Sequence, residues 1–223
     1  MTLRNTYDGL KTLKAAEVLN TVGLSLAGLI VLISMIKTGS IGSRESIAAQ
    51  DIAQAMGGGA LFMITGFATI ILAIVAYIMQ IVGVNKAKTE DASFDNALMY
   101  IIGGIIVAVI DSFAGGWFAA LLSIATKVLS LLVVLCIING VRNTAVKLEN
   151  AEMDKKGGTI YIVMIVLSVL AIAFGMLDSV IPSMELLLTF VAGCFNIAKS
   201  VVFLTYLSKA VKMFGIEEEI KPL

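Results

Sequence analysis

The chain has 223 residues, of which 59% are hydrophobic and 14% charged, and its mean hydropathy is +0.99. Soluble domains sit near 45–50% apolar and about 25% charged, so both departures point to a membrane protein. Sixteen Lys and Arg balance sixteen Asp and Glu, which gives no case for nucleic-acid binding, and the absence of histidine removes His-based catalysis and His-ligated metals.

Residues 1–16 read as a short amphipathic cytoplasmic segment. Leu10, Leu13 and Val18 share a side, and Lys11 and Lys14 are free to meet headgroups. No Ala-x-Ala cleavage pattern follows the first apolar run, so that run is expected to remain as a spanning helix. A span needs about 20 mostly apolar residues. Six candidates follow: 18–36, 60–84, 97–110, 117–141, 159–177 and 184–207. The third is short and reaches membrane length only with Phe94 and Phe113 included. The apolar runs are continuous, without the alternation of a transmembrane barrel. Two prolines, Pro182 and Pro222, leave the long helices uninterrupted.

The connector at 38–59 contains a weakly amphipathic piece, Glu45 to Met56, closed by Gly57, Gly58 and Gly59. It reads as an interfacial connector, with a lid over a vestibule as the sharper alternative. Residues 210–223 read as a cytoplasmic tail, with the acidic run Glu217–Glu218–Glu219 solvated, so the transmembrane domain is expected over 17–209. Segments 1–16, 85–96, 142–157 and 208–223 carry twelve Lys and Arg, against two, Lys37 and Arg44, on the other side. This asymmetry places both termini in the cytoplasm of a multi-pass cell-membrane protein.

Short internal matches suggest three helical hairpin repeats. Asp111-Ser112 and Asp178-Ser179 both fall at outer turns, and "VGVNKA" (82–87) resembles "NGVRNTA" (139–145). The odd-numbered spans contain no proline, so the motif of the mitochondrial carriers is missing. The paired Asn-Pro-Ala half-helices of aquaporins are missing too.

Two lysines lie inside spans. Lys127 is about ten residues into the fourth, roughly 15 Å along it, near the middle of a core about 30 Å thick. Lys199 is about fifteen residues into the sixth. A lysine at the centre of a span costs about 2.5–3.5 kcal/mol on insertion scales, so each needs compensation. Ser123, Lys127 and Ser130 share one helix face, widened by Thr126. Asn196, Lys199 and Ser200 group similarly, extended by Phe203. No acid stands at matching depth in the sequence: Asp111 and Asp178 lie nearer the outer surface, Glu185 at the mouth of the sixth span, and Glu17 at the inner edge of the first. The open alternatives are that Lys127 snorkels toward Asp111, that the lysines meet an anion, that their amines bond Ser, Thr, Asn and backbone carbonyls to fix helix register, or that one loses its proton through burial.

Nucleophile elbows, metal clusters and phosphate loops are missing from the sequence. Ser123 or Ser130 beside Lys127 is the one candidate catalytic pair, and polar packing explains it better. Capping, not catalysis, is the reading for the two Asp-Ser pairs. Cys136 and Cys194 read as small buried hydrophobes. Gly103-Gly104, Gly115-Gly116 and Gly175 are expected to let helices approach closely.

These observations predict an all-α polytopic bundle of six spans, not an enzyme, with no cofactor. The first functional reading is a small permease or channel for an anionic solute, with Lys127, Lys199, Ser123, Ser130, Asn196 and Asp111 as binding residues. The alternative is a scaffold or accessory subunit whose lysines pair with another membrane protein. Its surroundings are the lipid bilayer, with further copies or a membrane protein as partners.

Overall fold

The computed structural model describes the backbone over residues 3–38, 59–181 and 184–220, and side chains over 4–33, 65–177, 181 and 184–215. It is all-helical there. The helices are α1 (Leu3–Thr38), α2 (Gly59–Ala87), α3 (Ala92–Asp111), α4 (Gly116–Lys147), α5 (Ala151–Val180) and α6 (Glu185–Ile220). Each contains a segment long and apolar enough to cross a bilayer. The shortest, α3, has 20 residues, about 30 Å of helix, which matches the hydrocarbon thickness. Phe94 is inside it and Phe113 just beyond it. The connector piece Glu45–Met56 and the side chains of Asp178, Ser179 and Glu217–Glu219 lie outside the described residues.

Two helix ends differ from expectation. Residues 3–16 continue directly into the first span as part of α1, with Leu10 and Leu13 buried in the core and Val18 exposed. At the other end α6 runs to Ile220, and Ala210 and Phe214 are fully buried. Leu10 and Leu13, which looked like part of a membrane-surface stripe, and Ala210 and Phe214, expected in a tail, are buried instead.

Local sequence explains where the helices stop. Asp91 is the N-cap of α3, in extended conformation, and accepts from the Ser93 amide at 2.9 Å. After α4 the chain closes with paired bonds from the Asn150 amide to the Ala145 carbonyl (2.9 Å) and from the Glu149 amide to the Val146 carbonyl (3.0 Å). Glu149 takes a left-handed φ of 55° between them. That is the Schellman pattern, with glutamate where glycine is usual. Asn150 then caps α5 by accepting from the Met153 amide at 3.0 Å. Asp111-Ser112 does not supply the N-cap of the following helix. Asp111 ends α3, Ser112 is its C-cap, and the N-cap of α4 is Gly115. Asp178 and Ser179 stay within α5.

The helices divide into two compact units: Met1–Ala16, Ile78–Val166 and Val202–Leu223 form the first, and Glu17–Tyr77 with Leu167–Val201 the second. The first holds a core to which all six helices contribute, including Leu10, Val84, Phe94, Ile137, Met164 and Tyr206. Close approaches shape it. A Cβ on Gly9 would lie 2.6 Å from the Gly83 carbonyl oxygen, so backbone meets backbone there. A Cβ on Gly140 would lie 2.6 Å from the Phe94 ring, and one on Gly157 would lie 2.4 Å from the Arg142 side chain. These are not the glycines expected from sequence: a Cβ on Gly103, Gly115 or Gly116 would meet nothing within 4 Å. Gly83 and Gly140 occupy the same place in the two matching segments, so the matches fall on tight packing points; a repeat is not established by them. The second unit is lined by buried Ala76, Ala171, Leu186, Leu188 and Ala192, with Phe174 stacked on Phe195 at 5.6 Å.

Large exposed apolar side chains cover α3 and the start of α4, among them Ile102, Ile106, Val109 and Leu121. Such a surface fits lipid and not water. Phe113 and Trp117 stand exposed at the α3–α4 turn, where aromatic side chains mark the headgroup level. The opposite end of this hairpin is clamped. Asn143 donates to Asp91 at 3.2 Å, Lys147 lies 3.6 Å from the same carboxylate and donates to the Glu90 carbonyl at 2.8 Å, and Arg142 pairs with Asp154 at 2.9 Å.

Gly83→Val is expected to lower stability by about 1–3 kcal/mol through overpacking, whereas Gly103→Val changes little; thermal unfolding in detergent micelles distinguishes them. Asp91 supplies a pH dependence. Burial alone would raise its pKa, but hydrogen bonds from Ser93 and Asn143 and the Lys147 charge outweigh burial and hold it below 3.8. Folding therefore lowers this pKa, and the stabilisation is complete above the ordinary value and lost as pH falls through the lower folded one. Asp91→Asn keeps the cap but not the charge. The thermal-midpoint gap between wild type and this variant should be widest above about pH 4 and narrow in acid. A gap that stays level down to about pH 3 contradicts the assignment.

Candidate functional site

Polar side chains inside the spans collect in two places, and the structure treats the two intramembrane lysines differently. Lys199 belongs to the second unit and is half-buried. Glu17 on α1 lies within electrostatic reach of it. The Glu17 carboxylate accepts from the Ser200 hydroxyl and from Asn20 Nδ2 at 3.4 Å. Thr21 Oγ1 stands 2.8 Å from Ser200 Oγ and also bonds the Glu17 carbonyl at 2.7 Å. One turn further, Ser25 bonds the Thr21 carbonyl at 2.8 Å. α1 begins at Leu3, so Glu17 lies several turns inside the helix, and its bond to Ser200 brings an acid to the level of Lys199.

Lys127 is the opposite case. It is exposed, and among the described residues it has no hydrogen-bond or ion-pair partner. Asp111 is half-buried at the end of α3 and forms no ion pair with it among the described residues, so the snorkelling contact does not form. Ser123 is half-buried and Ser130 exposed, and neither hydroxyl is hydrogen-bonded to Lys127. Thr126 is spent on the Leu122 carbonyl at 3.0 Å.

The direction of this stripe is informative. Along α4, Val134 and Val141 follow Lys127 at seven-residue steps, and Ile137 and Thr144 follow Ser130 in the same way. Residues seven apart lie nearly above one another on a helix. Val134, Ile137, Val141 and Thr144 are all buried. The polar stripe therefore continues the core-facing stripe of α4, at a level where that face loses its cover. Leu121 and Val128, on the neighbouring face, are exposed apolar residues suited to lipid.

Asn196 does not join either group, since its side-chain amide bonds the Ala192 carbonyl of its own helix at 3.1 Å. Ser200 is buried, and Phe203 belongs to the core of the first unit. The sequence reading overlooked Thr21 and discounted Glu17. The four-residue spacing of Glu17, Thr21 and Ser25 within an apolar run was the available signal. Cys136 is half-buried and Cys194 exposed, both as free thiols. Among the described residues no group of potential ligands could hold a metal ion. No family model, curated protein or solved structure matches the chain.

Breaking an intramembrane pair by removing one member leaves the other charge unanswered, whereas an apolar double replacement avoids this. Glu17→Leu and Lys199→Met should each lower the thermal midpoint in micelles, and the double variant should lie closer to wild type than either. Additive losses would show that the two charges do not act on one another.

Proposed function

We propose that this multi-pass membrane protein is a small permease or channel-like protein for an anionic solute, with Lys127 as the anion-attracting group. The observation that carries this reading is the core-facing stripe of α4 becoming polar and accessible at Ser123, Lys127 and Ser130, with the ammonium left without a protein partner among the described residues. A cation lining an accessible polar path selects anions by charge. Lys199 contributes less than the sequence suggested, because Glu17 offsets its charge. The site is a one-lysine site, and Asn196 and Asp111 are outside it. The protein works in the cell membrane with both termini cytoplasmic, as the distribution of Lys and Arg over the connecting segments supports. No catalytic step is assigned to it.

In vesicles holding the purified protein, Lys127→Met and Lys127→Glu should each lower the flux of a small probe anion, such as nitrate or acetate. The expected loss is about tenfold, the equivalent of about 1.4 kcal/mol at the site. Lys127→Arg should retain flux. Unchanged flux in both the Met and Glu variants would sink the proposal.

The same exposed stripe supports a second reading, in which an intramembrane acid of another membrane protein fills it. Native electrophoresis of membranes solubilised in mild detergent separates the two. Lys127→Met shrinks an assembly under the second reading and leaves its size unchanged under the first.

A further inference from the structure

Hydrogen counting at Glu17 shows a feature that anion permeation does not use. Three oxygen–oxygen links close a loop between α1 and α6. The Glu17 carbonyl meets Thr21 Oγ1, Thr21 Oγ1 meets Ser200 Oγ, and Ser200 Oγ meets Glu17 Oε1. Each link needs one hydrogen. The two hydroxyls supply two. The third comes from the Glu17 carboxyl when it is protonated. The hydrogens then run in one direction: Glu17 to Ser200, Ser200 to Thr21, Thr21 to the Glu17 carbonyl. When Glu17 is ionised, Ser200 turns to donate to the carboxylate, and one link has no hydrogen.

Lys199 opposes the protonated arrangement. Its ammonium attracts the carboxylate and so supports the ionised form. On its own helix, Lys14 precedes Glu17 by one turn. The two states are therefore both answered by neighbours, one by a closed chain of hydrogen bonds and the other by a charge. Asn20 also donates to the carboxyl, and Ser25 extends the hydroxyl row one turn along α1.

We propose that Glu17, Ser200, Thr21 and Lys199 form an intramembrane proton-binding site. One proton adds to the Glu17 carboxylate, the Ser200 hydroxyl swings from Glu17 to Thr21, and the summed charge of Glu17 and Lys199 rises from zero to +1. Such a site gives the protein a means of coupling to a proton gradient. The assignment rests on the geometry of Glu17, Ser200 and Thr21 and holds whether or not Lys127 passes anions.

The test is infrared difference spectroscopy of the full chain in lipid vesicles, stepped through pH in light and heavy water. A protonated-carboxyl C=O band should appear on acidification, shift in heavy water, and vanish in Glu17→Gln, where the amide can still bond Ser200. It should persist in Asp111→Asn and Glu185→Gln. At one fixed pH the band should grow in Lys199→Met, and its frequency should move in Ser200→Ala. A band insensitive to both Glu17→Gln and Ser200→Ala would overturn the proposal, as would a wild-type protein with no such band at any pH. Should Glu17→Gln fail to fold, the wild-type band and its response to Ser200→Ala decide. Flux measurements on Lys127 variants do not enter this readout, so the two proposals fail separately.

Discussion

The hydrocarbon interior of a bilayer offers no hydrogen-bond partner, and that single constraint shapes this molecule. Backbone amides and carbonyls must be satisfied within each crossing, which helices alone do here. The same rule reaches the side chains. Thr69, Thr126 and Thr144 each bond the carbonyl four residues earlier, and Thr21 and Ser25 repeat the device along α1. A hydroxyl treated this way costs little in a membrane helix. Asn196 follows the same course with its amide. Ser168 is an exception, buried without a hydrogen-bond partner among the described residues. Groups that cannot be silenced locally are the charged ones, and they stand apart for that reason.

Lys199 and Lys127 show the two remedies open to a charge in a span. Lys199 lies within electrostatic reach of a carboxylate from another helix, and that carboxylate accepts from the Ser200 hydroxyl. Lys127 has no such answer among the described residues and remains accessible. Its position on the core-facing stripe matters more than its exposure. A lysine on the lipid-facing side of α4, near Leu121 or Val128, would meet hydrocarbon. Lys127 instead sits above Val134 and Val141, on the side that packs wherever a neighbour is present.

Much of the fold was legible because hydrocarbon thickness and helix rise set the length of every apolar run. Six runs in the sequence became six helices, and the short third one became a helix of 20 residues once Phe94 was included. The ends were harder to read. Leu10, Leu13 and Phe214 are apolar positions among charges, a pattern shared by a membrane-surface helix and by a helix packed on a bundle end. The glycines failed for a related reason: what separates Gly103 from Gly140 is the neighbour, open space at one and the Phe94 ring at the other. The polar stripe at Ser123, Lys127 and Ser130 was readable from spacing alone. The contact of Glu17 with Ser200, beside Lys199, was not, because it depends on which helix lies beside α6.

That last dependence bears on what the charges do. A polar residue kept only to hold helices in register is best fully satisfied, as the clamp at the end of the α3–α4 hairpin is. There Asp91 receives bonds from its own helix and from Asn143, and Lys147 reaches both the carboxylate and a backbone carbonyl. Neither intramembrane lysine is held in that manner. Lys127 has accessible surroundings and no bond among the described residues, and the Glu17 loop has one link more than its hydroxyls can fill. Incomplete satisfaction in a low-dielectric medium is costly; on the two proposals, an arriving anion would complete Lys127 and a single proton the Glu17 loop. The clamp is complete as it stands, so the two proposals turn on Lys127 and Glu17 and not on the more heavily charged end of the molecule.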